Sequence, residues 1–212
     1  TSKKSIIKYF PWVENKIFVN YHGLPETFQN LKLNLNKEKY FMFIGGRNTY
    51  KNFDLLLDSF SIVSKEFPDW KLIVVGENQN TYLNEHERYK SLGITELVVD
   101  HGLVSDEKLI ELLQNASALV IPSLNEGFNF PLLEALAAGC PVLSSDIPVS
   151  REIGGYHATY FSNNAKSLLE CMRNNILYQI KKENLIKGQE YARTFSWEKS
   201  FNNLVKVYES CI

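Results

Sequence analysis

The sequence is poor in cysteine and has no excess of either charge, and both deficits exclude classes of protein. Its 212 residues include three cysteines, Cys140, Cys171 and Cys211, with no two close together. No pair therefore has the spacing of a zinc knuckle or redox motif, and the odd count favours a reducing cytoplasm. Lys and Arg number 23 against 24 Asp and Glu, so the chain lacks the positive field expected for bulk nucleic-acid binding.

Long hydrophobic runs are also missing. The most apolar stretch, 131–143, is interrupted by Glu134 and Gly139 and is shorter than the roughly 18 residues of a membrane span. The first residues, TSKKSIIKYF, contain no apolar core of signal-peptide length. The chain starts with Thr rather than Met, so we expect a fragment or a processed form. With 44% hydrophobic and 22% charged residues, the composition is that of a folded globular protein.

Short apolar, β-branched runs alternate with helical patterns along most of the chain. Strands are predicted at 17–20, 40–44, 71–75, 96–99, 117–121, 141–144 and 158–161. Helices are predicted at 52–67, at 106–115 with Ser105 as cap, from Pro131 onward, and three times within 164–211. The alternation predicts an α/β fold, a Rossmann-like doubly wound parallel sheet of about six strands with helices on both faces. Because such sheets bind ligands at the carboxyl ends of their strands, the chemistry is expected in those loops.

The first loop with chemical potential follows the strand at 40–44 and reads GGRNTYK. Gly46 allows close backbone approach, and the Arg47 guanidinium matches the geometry of phosphate oxygens. Lys51 lies near a helix start, where the helix dipole disfavours a cation unless an anion lies in front of it. The alternative is a solvated turn with two surface cations, since the loop is neither a Walker sequence nor a dinucleotide fingerprint.

The second loop follows the apolar run at 117–121 and carries two carboxylates, Glu126 and Glu134. Gly127 and Pro131 interrupt the chain between them, which places Glu126 in the loop and Glu134 about one turn into a helix. Carboxylates suit vicinal sugar hydroxyls, and free amides at a helix start suit a diphosphate. Taken singly, Glu126 is equally a loop carboxylate and Glu134 a favourable charge in a first helical turn; their spacing favours function. No His or carboxylate cluster has metal-ligand spacing, so no metal site is predicted.

The segment 126–142, EGFNFPLLEALAAGCPV, resembles the E-x7-E motif of retaining glycosyltransferases of the GT-B fold, family 4 or group 1. Other blocks agree in order and spacing with that family. They are the cationic loop at 47–53, the strand at 72–76, the nucleotide-side turn and helix at 102–109, and the last-helix start at 195–198. The resemblance extends over about residues 1–212.

The resemblance implies only half of such an enzyme, the half that binds the nucleotide-diphosphate sugar. Residues 1–16 resemble a connection from a missing amino-terminal acceptor domain, and 17–195 resemble the nucleotide-sugar domain. The helix within 196–212 is expected to cross back to that missing partner, leaving an exposed apolar patch here. Membrane association is expected only through the missing half, and the isolated chain is expected to have little or no transfer activity.

The resemblance also implies roles for individual residues. Arg47 and Lys51 would hold the diphosphate and stabilise charge on the leaving nucleotide, and Glu126 would contact the sugar hydroxyls. Glu134 would bind the ribose. Backbone amides near the sugar and phosphate would come from Gly127, Phe128 and Asn129, and the base would lie beside Leu103, Val104 and Leu109. The reaction would transfer a hexosyl unit with retention, giving an α-linked product without a metal or other cofactor.

Two departures from the family bear on the donor. Asn125 stands where the family often has an aromatic residue, and Asn129 where it often has glycine. The spacing from Arg47 to Lys51 resembles a subset with bacterial polysaccharide mannosyltransferases, so the expected donor is a GDP-mannose-like sugar nucleotide or a UDP-hexose. A GT-B sugar-nucleotide epimerase and a non-catalytic nucleotide-binding module are the alternatives.

Overall fold

A computed structural model of the chain describes residues 2–47, 49–77, 82–178 and 180–210. Asn48 of the cationic loop and Cys211 lie outside the described residues. Six strands form one parallel sheet, in the order β3-β2-β1-β4-β5-β6. They are β1 (Tyr40–Ile44), β2 (Lys71–Val75), β3 (Val98–Asp100), β4 (Ala118–Ile121), β5 (Val142–Ser145) and β6 (Thr159–Phe161). The predicted Rossmann-like fold is therefore confirmed.

One helix precedes the first strand, and the others lie between the strands and after the last one. They are α1 (Ser2–Tyr9), α2 (Phe53–Glu66), α3 (Tyr82–Leu92), α4 (Asp106–Asn115), α5 (Phe130–Ala137), α6 (Pro148–Gly154), α7 (Ala165–Leu177), α8 (Lys182–Ala192) and α9 (Trp197–Glu209). Short 3₁₀ turns lie at Pro11–Lys16, Glu26–Phe28, Thr49–Lys51 and Thr95–Leu97. The three predicted helices of the tail are α7, α8 and α9.

The strand order creates one place where the chain reverses direction across the sheet. The chain runs outward from β1 to β3, returns to place β4 beside β1, and then runs outward again to β6. The loops that follow β1 and β4 therefore diverge, and they leave a crevice between them at the carboxyl ends of these strands.

Side chains from alternate strand positions fill two cores, one on each face of the sheet. Met42 of β1 belongs to the core under α4, α5 and α6, whereas Phe41 and Phe43 belong to the core under α2 and α7. Because both faces are covered, the strands are apolar at nearly every position and show no polar alternation. Burial on both faces therefore explains why the sequence segments that form the strands are continuously apolar.

Two strand predictions need correction. Residues 17–20 form no strand but an extended segment beside α9, where Asn20 Nδ2 donates to the Ser200 carbonyl at 3.0 Å. The β-branched residues there favour extended backbone, but the segment pairs with neither edge of the sheet. The strand predicted at 96–99 begins later, at Val98, because Thr95–Leu97 turn as a 3₁₀ segment first.

The helix starts agree with their predicted caps. The Ser105 hydroxyl accepts the Lys108 amide at the start of α4, and Pro131 occupies the first turn of α5, where its missing amide hydrogen costs nothing. All residues of α9 are described and none is fully buried, with Phe201 and Tyr208 about two-thirds exposed. Among the described residues, no helix combines the length and hydrophobicity needed to cross a membrane.

Glycines end β1 and β2 and pack backbone against backbone. Gly76 has φ +127°, and a Cβ atom there would lie 2.6 Å from the Gly45 carbonyl oxygen. We expect Gly76→Ala to lower the free energy of unfolding by about 2–4 kcal/mol, from backbone strain and the clash together. Urea denaturation at constant m-value measures the loss.

Gly93→Ala is the matched control, because Gly93 also has positive φ, +69°, but no atom within 4 Å of the added methyl group. It carries only the cost of the left-handed backbone, about 1 kcal/mol. Equal losses for the two variants would contradict the close packing of the strand ends.

Candidate functional site

An ion pair between the loops after β1 and β4 lies at the crevice. Lys51 Nζ donates to Glu126 Oε1 at 2.7 Å, and the Ser123 hydroxyl donates to the same oxygen at 2.7 Å. The two charged side chains are only 12% and 9% exposed. The structure thus brings together the two predicted loops, and it does so through the residues proposed for phosphate and sugar.

Local backbone structure fixes this pair. The Leu124 amide donates to the Tyr50 carbonyl at 2.7 Å, which joins the β4 loop to the 3₁₀ turn carrying Lys51. Gly45 has φ +137°, and a Cβ atom there would lie 3.3 Å from Lys51 Cε. The Gly45 position therefore makes room for the lysine side chain to run across the strand end.

The helices α2 and α5 begin on either side of this pair, and both begin at an asparagine in the left-handed conformation. Asn52 precedes α2 with φ +51°, and Asn129 precedes α5 with φ +71°. Asparagine is the residue other than glycine that adopts this conformation most readily. The Asn129 backbone explains how asparagine replaces the family's glycine. Its buried side chain donates from Nδ2 to Ser150 Oγ at 3.1 Å.

Gly127 and Phe128 form the rim of the loop. Gly127 has open space on its side-chain face. Phe128 lies in an aromatic cluster, with ring centroids 5.0 Å from His22 and 5.0 Å from Phe130. His22 also lies 5.7 Å from Trp197 at the start of α9. The segment before the sheet and the last helix thus both support the E-x7-E loop.

A groove of about 670 Å³ opens between this loop and the segment that precedes the sheet. Lys51, Glu126 and Phe128 line one side, and Ile6 and His22 are among the residues of the other. Its volume is that of a small-molecule site with a few polar groups on an apolar wall. A second cavity of about 610 Å³ lies beside α8, away from the predicted site residues.

Glu134 lies one turn into α5 and has an unusual ionisation. Burial, followed by the nearby charge of Asp106, raises its pKa from 4.5 to about 7. The folded chain therefore keeps this proton at pH values where the unfolded chain has released it. Its contribution to stability is present below pH 4.5 and is lost as the pH rises to about 7. A bound ligand that donates hydrogen bonds to the Glu134 carboxylate would lower its pKa again, because it would stabilise the ionised form.

The turn after β3 carries the side chains predicted to flank a base. Leu103 is 77% exposed, whereas Val104 and Leu109 are half-buried against the core. Asp100 fixes the turn, because its Oδ1 accepts the Gly102 amide at 2.9 Å. The residues predicted there do share one turn and the helix that follows it.

Arg47 lies in a different environment from Lys51. Its Nη1 donates to the Gly76 carbonyl at 2.8 Å, and its Nη2 pairs with the Asp100 carboxylate. The Glu85 carboxylate lies 3.6 Å from Nε, and the side chain is only 4% exposed. Sequence reasoning missed Asp100 and Glu85. Asp100 follows a strand and was available to the strand-end argument, whereas nothing in the sequence places Glu85 beside Arg47.

No group of three or more His, Cys, Asp or Glu side chains in the described ranges is arranged to hold a metal ion. Gly46, which was predicted to contact the donor, is half-buried beside Arg47 in the loop after β1. None of these placements tests a ligand contact, so the predicted roles remain predictions.

Comparison with known proteins identifies the family of the chain. The family model described as "Glycosyl transferases group 1" matches residues 25–190. The serotype-specific mannosyltransferase WbdA of Escherichia coli is 29% identical over 87% of this chain and 23% of its own length. The O-antigen chain mannosyltransferase RfbU of Salmonella typhimurium is 31% identical over 82% of this chain and 48% of its own length. The chain therefore spans less than half of each relative.

Solved structures agree in fold. A glycosyltransferase from Rickettsia africae superimposes with a TM-score of 0.83 at 19% identity, over 99% of this chain and 61% of that one. The C-terminal domain of LpcC, a group 1 protein from Francisella tularensis, gives 0.59 at 20% identity, over 85% of this chain and 94% of that one. The chain belongs to the group 1 glycosyltransferases and has the fold of one Rossmann-like domain of a GT-B enzyme.

Proposed function

We propose that this chain is the donor-binding half of a retaining hexosyltransferase that uses a nucleotide-diphosphate sugar and forms an α-linkage to a glycan or glycolipid. The observation that carries the proposal is the Lys51–Glu126 pair, almost excluded from water, at the crevice between β1 and β4. It combines a cation for phosphate with a carboxylate for sugar hydroxyls.

The diphosphate is assigned to Lys51 and the first turns of α2 and α5. The amide groups at a helix start attract an anion, and a lysine beside them adds a full charge. The same contact strengthens as charge builds on the leaving nucleotide, so it lowers the barrier as well as binding the donor. Because these groups carry the phosphate charge, the proposal includes no metal.

The sugar is assigned to the Glu126 side of the groove. Once phosphate binds Lys51, the Glu126 carboxylate is free to accept hydrogen bonds from sugar hydroxyls. The open face of Gly127 leaves room for the hexose, and Phe128 closes the groove with an apolar wall.

The nucleoside is assigned to the side nearer α4. Ribose hydroxyls would bind Glu134, and the base would lie against Leu103, Val104 and Leu109. The exposed Leu103 and the half-buried Val104 and Leu109 together offer apolar contact area for the face of a base.

Mannose is the proposed sugar and GDP the proposed nucleotide. Two relatives, WbdA and RfbU, are named mannosyltransferases, and the spacing from Arg47 to Lys51 favours the same donor. The acceptor site and further catalytic groups are assigned to a second domain, which would dock on the exposed face of α9. Any association with the cytoplasmic face of a membrane is assigned to that second domain.

Calorimetric titration with UDP, GDP and ADP, and then with their hexose conjugates, tests the proposal. We expect selective binding of GDP and tighter binding of GDP-mannose. Absence of binding by every nucleotide, in this chain and in one extended to include a second domain, would refute it. Conversion of a donor sugar without acceptor would favour the epimerase alternative, because epimerisation needs no second substrate.

Lys51→Ala should weaken nucleoside-diphosphate binding by about 1.5–3 kcal/mol, the scale of a charge-assisted hydrogen bond. Lys39→Ala is the control, because Lys39 forms an exposed pair with Asp69 far from the crevice loops. If both variants bind as tightly as the unaltered chain, Lys51 has no phosphate role.

Glu126→Gln should separate sugar from phosphate. The variant keeps the shape of the side chain but releases Lys51 from its carboxylate partner. Binding of the diphosphate alone should be unchanged or tighter, while the preference for the hexose conjugate over the diphosphate should be lost. Equal weakening of both ligands would argue against a sugar contact, and competition calorimetry measures both.

Nucleotide affinity should rise between pH 6 and pH 8, because ribose hydroxyls bind the ionised Glu134, whose pKa of about 7 lies in that range. The Glu134→Gln variant cannot ionise at this position and should show only the smaller pH dependence of the phosphate itself. Identical profiles for the variant and the unaltered chain would exclude Glu134 from the nucleotide site.

A further inference from the structure

A second buried charge cluster lies at the carboxyl ends of β1, β2 and β3. Arg47 is 4% exposed, and the two carboxylates around it, Asp100 and Glu85, are 14% and 12% exposed. The three residues come from the loop after β1, the end of β3 and the helix α3. Such a cluster joins segments that are distant in sequence, and Arg47 offsets one of its two carboxylate charges.

The Arg47 guanidinium is engaged through both of its terminal nitrogens, while its buried Nε has no hydrogen-bond partner among the described residues. Nη1 donates to the Gly76 carbonyl at 2.8 Å, with the Glu77 carbonyl 3.4 Å away, and Nη2 pairs with Asp100. Nε faces Glu85 at 3.6 Å. If the guanidinium turned to a phosphate, both carboxylates would remain buried without their cation, which is strongly unfavourable.

Asp100 transmits the position of Arg47 to the next turn. One carboxylate oxygen pairs with Arg47, and the other accepts the Gly102 amide at 2.9 Å. The Gly102 carbonyl in turn accepts the Gly76 amide at 2.8 Å. A chain of direct contacts therefore runs from Arg47 to the turn that carries Leu103 and Val104.

We propose that Arg47 is a positioning residue, which through Asp100 sets the turn that flanks the base, and that Lys51 is the side chain that binds the diphosphate. This inference rests on the proposed function, since it assigns parts of the same nucleotide site. It replaces the diphosphate role that sequence resemblance implied for Arg47. The cationic loop then has two functions: Lys51 at its end binds the phosphate, and Arg47 at its start positions the turn beside the base.

Two affinity ratios distinguish positioning from phosphate binding. The first is GDP over GMP, which reports contacts to the second phosphate. The second is GDP over UDP, which reports the fit of the base. Substituting a residue that binds the second phosphate changes the GDP-over-GMP ratio. Substituting a residue that positions the turn beside the base changes the GDP-over-UDP ratio.

The experiment measures both ratios by calorimetry for Arg47→Lys, Asp100→Asn and Lys51→Ala. Arg47→Lys keeps the charge that the two carboxylates need, but loses the fork that reaches Gly76 and Asp100 together. Circular dichroism and thermal melting establish that each variant is folded. Asp100→Asn provides a second route to the same turn if Arg47→Lys does not fold.

We expect Lys51→Ala to lower the GDP-over-GMP ratio about 10-fold or more and to leave GDP over UDP unchanged. Arg47→Lys and Asp100→Asn should do the reverse, reducing GDP over UDP several-fold with GDP over GMP unchanged. A fall in GDP over GMP for Arg47→Lys, or tighter GDP binding by Asp100→Asn through a released Arg47, would overturn the positioning role alone. Absence of nucleotide binding by the unaltered chain and by one extended to include a second domain would overturn the proposed function as well.

Discussion

The site depends on one ion pair, Lys51 with Glu126, in surroundings that admit little water. The pair joins the loop after β1 to the loop after β4, so it also fixes the width of the crevice between them. Two charges that have lost most of their water are stable only while each keeps a partner. A ligand that brings phosphate to Lys51 and hydroxyls to Glu126 replaces both halves of the contact at once. A sugar diphosphate satisfies this requirement better than a free phosphate or a free sugar.

The cationic loop places its two cations in different surroundings, which its sequence alone does not show. Arg47 and Lys51 are four residues apart and look equivalent as phosphate ligands. Backbone geometry divides them, because Arg47 turns toward Asp100 at the end of β3 while Lys51 crosses the end of β1 toward β4. Each cation then has its own carboxylates, and the two charge clusters flank the strand ends where a nucleotide would lie.

The sequence predicted the six strands and the tail helices, because continuous apolar runs and helical spacing depend on local residue order. The sequence also singled out Lys51, Glu126 and Glu134; the structure places Lys51 against Glu126, and the ligand roles of all three stay predictions. The sequence did not reveal strand order, so the contact between the loops after β1 and β4 could not be derived. The strand predicted at 17–20 was wrong for a related reason. Its residues favour an extended backbone, but a strand also needs a neighbouring strand to pair with, and the local sequence does not supply one. Glu85 was missed because its place beside Arg47 exists only in three dimensions.

A crystal structure of the chain with GDP bound tests the central claim most directly. The account predicts that the second phosphate lies within hydrogen-bonding distance of Lys51 Nζ, with the Lys51–Glu126 contact opened and the Arg47–Asp100 contact intact. A nucleotide bound in the cavity beside α8, or in the crevice with the Lys51–Glu126 pair still closed and no phosphate on Lys51, would contradict it.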